Sequence, residues 1–353
     1  MAKSASRALG ASLATVAGFL GLTLAAGSAA AQGGDYFKGK TINIVIGGGA
    51  GDGYDIYSRF LSPHLARHLP GNPRIVPQNM PGAGTLVAAN YLYEVAPADG
   101  TAIGTVGGGT ATAHLFRTPG VRVDPRNYRW VGSMNSEVGL VLAWHQTPFR
   151  SFKDVREREF VVGGSGPTSG NVIFPLVLNR VAGAKYKIIT GYRSTGDIAL
   201  AMERGEVQGT SSYHYSSMMT TKPHWIRDKQ VYPLAQLSLI KHPLFPDVPH
   251  IAELARNDEE LQILNLIFAR QSMGRPYLLP PKTPDNVVKM VRDAFNAAMK
   301  DPELIAEAEK RVLDLTLPMT GEEIHTLIDK LYASSPAVIE KAIAASDTSH
   351  IKE

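Results

Sequence analysis

A chain of 353 residues that is 44% apolar and 19% charged has enough material for two buried cores, which excludes a disordered polypeptide. Of its 36 Lys and Arg, Lys3 and Arg7 fall in a segment expected to be removed, so 34 face 32 Asp and Glu; a net +2 without basic clusters excludes a nucleic-acid surface. Cysteine is absent, which excludes disulfides, zinc–thiolate sites, a thiol nucleophile and a lipid-anchored cysteine.

Lys3 and Arg7 precede a nearly uncharged apolar run over 9–26, and Ala29-Ala30-Ala31-Gln32 offers a small-x-small cleavage site. This pattern predicts a signal peptide over 1–31 cut after Ala31, because a run so rich in Ala, Gly, Ser and Thr is a poor membrane anchor. The mature chain is expected free in the periplasm, as no later segment is apolar enough to span a membrane.

From residue 36 onward, short β-branched runs alternate with helical stretches, the pattern of an α/β fold with parallel strands. Alternating Ile42, Ile44 and Ile46 mark a strand over 41–46. A helix follows from about Tyr54, with Pro63 expected to kink or divide it. Strands are expected at 75–76 and 101–106 around a helix at 86–96, and two short apolar runs follow at 130–134 and 138–144. A second series reads as strand 160–163, helix 169–181, strand 187–190, helix 195–204, strand 207–210 and returning strand 232–237. The remainder predicts a strand at 264–268 and helices at 284–300, 302–311 and 321–339. Two such series without a flexible linker predict two lobes joined by crossover hinge strands around a ligand cleft, as in a periplasmic-binding-protein fold. Residues 32–131 and 238–353 are expected in lobe 1 and 132–237 in lobe 2.

The candidate chemistry lies in loops between strands and helices. Gly47-Gly48-Gly49-Ala50-Gly51-Asp52-Gly53-Tyr54-Asp55 opens a helix, where free N–H groups and the helix N-terminus favour an anion. Phosphate and carboxylate fit equally, but Gly-Tyr-Asp replaces the Gly-Lys-Ser/Thr ending of a nucleotide loop. Pro81-Gly82-Ala83-Gly84-Thr85 is a second anion cradle or a simple turn. Gly163-Gly164-Ser165-Gly166-Pro167-Thr168-Ser169-Gly170 and Gly209-Thr210-Ser211-Ser212 stand at strand ends of the second series. One shared cleft explains four such loops better than four separate turns. Asp52 and Asp55 each have a plainer role as helix-terminus acids.

Taken in order, these segments resemble the Bug/TctC family, the extracytoplasmic receptors of tripartite tricarboxylate transporters. The family's Gly-Gly-x-x-Asp-x-x-x-Arg segment is similar to Gly51 through Asp55 and Arg59, and its Asn-x-Pro-Gly-Ala-Gly to Asn79 through Gly84. Its Pro-x-Asp-Gly is similar to Pro97 through Gly100, and its Gly-Ser-x-Gly loop to Gly164 through Ser169. Its Val-Pro-Tyr-Lys-Gly resembles Thr190-Gly191-Tyr192-Arg193-Ser194, and its Asp-Val-Pro-Thr resembles Asp247-Val248-Pro249-His250. The resemblance implies a receptor without a cofactor or catalytic residues. It implies a ligand carboxylate held largely through main-chain N–H groups and bridging water, in a site formed by Gly51, Asp52, Gly53, Tyr54, Asp55, Pro81, Gly82, Ala83, Gly84, Thr85, Ser165, Gly166, Thr168, Ser169, Tyr192 and Ser211. It also implies membrane transporter subunits as partners of a monomer. The chain departs from the family at Gly47-Gly48, where Pro-Phe is usual, and at Asp52, where glycine is common, which leaves the ligand's shape open. Asp52 and Arg193 are the two candidate charge selectors.

A secreted enzyme acting on a small organic acid is the alternative. Ser165 is not in a nucleophile elbow, because Pro167 replaces the last glycine. His64 and His68 have helical spacing without the intervening Glu of a zincin. A lectin-like module would need an aromatic platform that the sequence lacks.

Overall fold

The computed structural model describes residues 34–165, 169–192 and 194–349. The expected leader, Gly166, Pro167, Thr168 and Arg193 lie outside the described residues.

The chain is a mixed α/β protein with two sheets. The first holds β1 (Thr41–Ile46), β2 (Arg74–Asn79), β3 (Ala102–Thr105) and β4 (Arg129–Ser133). The second holds β5 (Gly139–Trp144), β6 (Phe160–Gly163), β7 (Tyr186–Ile189), β8 (Gly209–His214) and β9 (Val231–Leu237). The chain then returns to the first with β10 (Pro276–Leu279) and β11 (Met319–Thr320). Strand order is β11-β4-β10-β3-β1-β2 in one sheet and β7-β6-β8-β5-β9 in the other. Parallel pairing holds for β2-β1-β3 and for β7-β6-β8, as the alternation implies. In each sheet the strand that follows a crossing, β10 or β5, inserts antiparallel. The two lobes are thus built on one plan.

Side-chain alternation explains the burial. In β5, Val141 and Ala143 enter one core while Leu140, Leu142 and Trp144 enter another on the opposite face. In β1, Ile42, Ile44 and Ile46 share a core with Phe60 and Leu65 of the helix Gly53–His68, and Val45 faces the other way.

Four expectations need correction. The apolar run at 264–268 is not a strand but the end of the helix Asp258–Phe268, which Asn257 caps by accepting the Glu260 N–H at 2.9 Å. Pro63 does not divide its helix, which runs through it from Gly53 to His68 with the proline on the exposed side. The expected helix over 321–339 is two, Gly321–Tyr332 and Pro336–Ser346, since Pro336 can only begin a helix and Ser335 caps it. Nor does 238–353 stay with the first sheet. Ile251, Leu264, Phe268, Val338 and Ala342 share a core with Val141, Phe160 and Phe174 of the second.

The crossover at 134–138 runs beside that at 271–275. Met134 N–H donates to the Arg275 carbonyl at 3.1 Å, Gly274 N–H to Asn135 at 3.1 Å and Glu137 N–H to Gln271 at 2.8 Å. These bonds make a short two-stranded ribbon between the lobes.

Candidate functional site

The loop after β1 is closed by its own side chains. Asp52 caps the helix Gly53–His68 by accepting the Asp55 N–H at 3.0 Å. Asp55 is buried and accepts the Gly51 N–H at 2.8 Å and Arg59 Nε at 2.8 Å. Bonding to Arg59, helped by the Gly51 N–H and Asn79, holds the Asp55 carboxyl below the usual carboxylate range, against the cost of burial. Arg59 donates to Asn79 at 3.1 Å, and Asn79 donates to the Gly48 carbonyl at 3.0 Å. One network therefore bolts the β1 loop to the β2 loop. Gly53 leaves room for Arg275, whose guanidinium a Cβ there would meet at 2.7 Å.

After β2, Gly82, Ala83, Gly84 and Thr85 have φ of 141°, 45°, 61° and 80°. Ala83 and Thr85 hold this left-handed backbone without being glycine, a strain that the surroundings must sustain. Pro81 to Gly84 are exposed, whereas Thr85 is buried and its hydroxyl accepts the Gly107 N–H at 2.9 Å. Gly107-Gly108-Gly109 after β3, which sequence reasoning passed over, is therefore the third loop of this lobe.

The second-lobe loops are tied by Asn171. Its side-chain oxygen accepts the Ser165 N–H at 2.9 Å, the Ser165 hydroxyl at 3.1 Å and the Ser169 hydroxyl at 2.5 Å. Ser211 is fully buried and donates to the Asn171 carbonyl at 3.0 Å. Asp55, Ser165 and Ser211, expected as ligand contacts, each make hydrogen bonds that fix these loops. Gly166 and Thr168 lie outside the described residues. Tyr192 lies against Gly163 and lines a surface hollow of roughly 280 Å³ with Asp197, Leu200, Arg204 and Glu206.

What the loops of the two lobes share is the crossover between them. Tyr54, at the start of its helix, lies beside Gly107, whose Cβ would be 3.5 Å from the phenol oxygen. The Arg275 guanidinium lies 5.2 Å from the Tyr54 ring and 4.8 Å from that of Tyr57. Arg275 is buried and pairs with buried Glu137 at 3.4 Å. Glu137 also accepts the Ser216 hydroxyl at 2.6 Å. Burial works against the Glu137 charge, but His214, Arg275 and Ser216 together outweigh it and the carboxyl stays below its ordinary value. Burial lowers the nearby His214; Glu137 opposes this and the guanidinia of Arg275 and Arg270 add to it, so the imidazole titrates below its ordinary value.

Arg270 stands in the short 3-10 turn Ala269–Ser272. Its guanidinium is 5.7 Å from the Phe174 ring of the second lobe, and a Cβ on Gly109 of the first would meet it at 2.9 Å. Burial presses its pKa down and Tyr54 is the group that opposes this. Arg270, Glu137, His214 and Arg275 were not singled out from the sequence as site residues. Among the described residues no group of His, Asp and Glu is placed to hold a metal ion.

No family model and no curated protein matches the sequence. Solved structures match the fold. A TctC solute-binding protein from Polaromonas superposes with a TM-score of 0.64 at 16% identity, over 85% of this chain and 98% of that one. MatC from Rhodopseudomonas palustris with bound malate gives 0.60 at 18% identity, over 87% and 99%. Another R. palustris protein, with adipate, gives 0.61 at 17% identity, over 87% and 97%. The chain thus has the two-lobed fold of periplasmic solute-binding proteins. Within that fold its similarity is to the TctC/Bug group, the same group that its motifs resemble.

Proposed function

We propose that this chain is an extracytoplasmic, non-catalytic receptor that captures a small carboxylate-bearing molecule between its lobes. It acts as a monomer in the periplasm after removal of residues 1–31, and delivers its ligand to the membrane subunits of a tripartite tricarboxylate-type transporter. The observation that carries the reading is convergence. Tyr54 after β1, Gly107 to Gly109 after β3 and Phe174 behind the β6 loop approach the crossover, and Thr85 after β2 is bonded to Gly107. Ligands held at such a junction engage both lobes at once, which favours a closed state over an open one. The malate and adipate of the two R. palustris proteins support the ligand class.

The test is a thermal-shift screen of organic acids on the mature protein, with the acids followed for turnover. A raised melting temperature with intact acid is expected, accompanied by a smaller radius of gyration in small-angle scattering. Consumption of the acid, or no shift with any acid, overturns the reading.

A further inference from the structure

We infer that Arg270 is the charge-selecting residue of the cleft, binding a ligand carboxylate directly through its guanidinium; this rests on the receptor reading above. The Arg270 side chain makes no hydrogen bond and pairs with no carboxylate among the described residues. Its neighbour in the crossover, Arg275, is paired with Glu137. The Asp52 carboxylate is turned into its own loop, with one oxygen on the Asp55 N–H and the other where a Gly48 Cβ would be 2.0 Å away. Arg270, Arg275 and Glu137 together therefore leave one uncompensated positive charge at the crossover. A cation drawn from water needs an opposite charge, and a contact with the Phe174 ring is too weak to replace one.

The surroundings keep a place for this guanidinium. Gly109 leaves its room on one side, and Gly108 lets the β3 loop lie against the Arg270 carbonyl, which a Cβ would meet at 2.2 Å. The residue is partly exposed, which gives an incoming anion access. A guanidinium fork matches a planar carboxylate through two parallel hydrogen bonds. The single excess charge selects one carboxylate at this depth, and a second carboxylate of the same ligand has to lie toward the rim.

Isothermal titration of wild type, R270Q and R270K with mono- and dicarboxylates including malate and adipate, each beside its amide, tests this. Wild type should prefer an acid over its amide by about 100-fold, and R270Q should lose that preference by weakening the acid alone. R270K should fall between, keeping charge without the fork. Ligand-free R270Q should melt higher than wild type, because the uncompensated charge is gone; a merely structural arginine would give a lower value. Wild-type acid affinity in R270Q, or equal binding of acid and amide by wild type, overturns the inference and leaves the receptor reading standing. A wild type that binds no acid in the panel overturns both.

Discussion

The loops after β1 and β2 and the crossover at 269–275 spend their polar groups in opposite ways. In the first, Asp55, Arg59, Asn79 and the Gly48 carbonyl form a closed circuit within one lobe. In the second, among the described residues, Arg270 has no acid, and the side-chain Nε2 of Gln271 and Nε of Arg275 are buried without partners. A glycine-rich loop that satisfies itself is a frame. Groups left open between two bodies are where a ligand adds most, since unmet buried donors are costly and a ligand that meets them recovers that cost.

The comparison breaks most visibly at Glu137. Glu137→Gln leaves Arg275 as a buried cation without its carboxylate, and should cost about 3–5 kcal/mol in urea denaturation. Adding Arg275→Gln should restore a large part. Asp55→Asn in the closed circuit should cost less, about 1–3 kcal/mol, because Arg59 is half in solvent and rehydrates. A larger loss at Asp55 than at Glu137 would reverse the assignment of frame and open site.

Two glycines sharpen it next. A Cβ at Gly108 would lie 2.2 Å from the Arg270 carbonyl and 2.8 Å from that of Met273, so backbone must move. Gly108→Ala should cost about 1–3 kcal/mol by denaturation, as over-packing against an unyielding neighbour does. A Cβ at Gly49 meets nothing within 4 Å, and Gly49→Ala should stay within about 0.5 kcal/mol of wild type. Equal effects would mean that the β3 loop is not pressed against the crossover.

A smaller effect is expected from pH. His214 is held below its ordinary value in the folded, ligand-free chain. The unfolded chain therefore binds more protons as pH falls below about 6.5, and stability should decline there until the folded imidazole also titrates. His214→Gln should lessen the fall of the melting temperature between pH 7 and 5, leaving the part due to His242 and His325, which burial also lowers. The facing charges are Glu137, Arg275 and Arg270, of which only Glu137 opposes the shift.

The frame was legible in the sequence and the open site was not, for a physical reason. Strand β1 announces itself through β-branched alternation and β6 through a short apolar run, each next to glycine, and both fall where the pattern put them. Asp52 at a helix start is a local signal of the same kind. Strand β10, in contrast, is four residues whose pairing partners, β3 and β4, lie far back in the chain. The run Ile263 to Phe268 is buried on nearly every side, so its period does not separate strand from helix; Asn257 and the acids after it were the usable signal. The meaning of Arg270 lies in the lack of a nearby acid, which only the folded arrangement of both lobes defines.

The smallest effect is expected at Asp52, and it bears on the comparison as a whole. If the β1 loop is a frame, Asp52 belongs to it, and its charge is incidental to the ligand. Its backbone has the extended geometry of a capping residue, with φ −79° and ψ 175°, and its Oδ1 accepts the Asp55 N–H at 3.0 Å. Asn keeps an oxygen in that place and gives up only the favourable charge at a helix N-terminus, so Asp52→Asn should cost about 0.3–1 kcal/mol. Asp52→Ala loses the cap as well and should cost about 1 kcal/mol or somewhat more. Titrating both variants with plain dicarboxylates and with amine-bearing acids should give an unchanged ratio of affinities. A ratio shifted about tenfold, worth about 1.4 kcal/mol, would mean that the Asp52 carboxylate meets the ligand. The β1 loop would then belong to the open site together with Arg270, and a cation and an anion would flank the ligand from opposite sides.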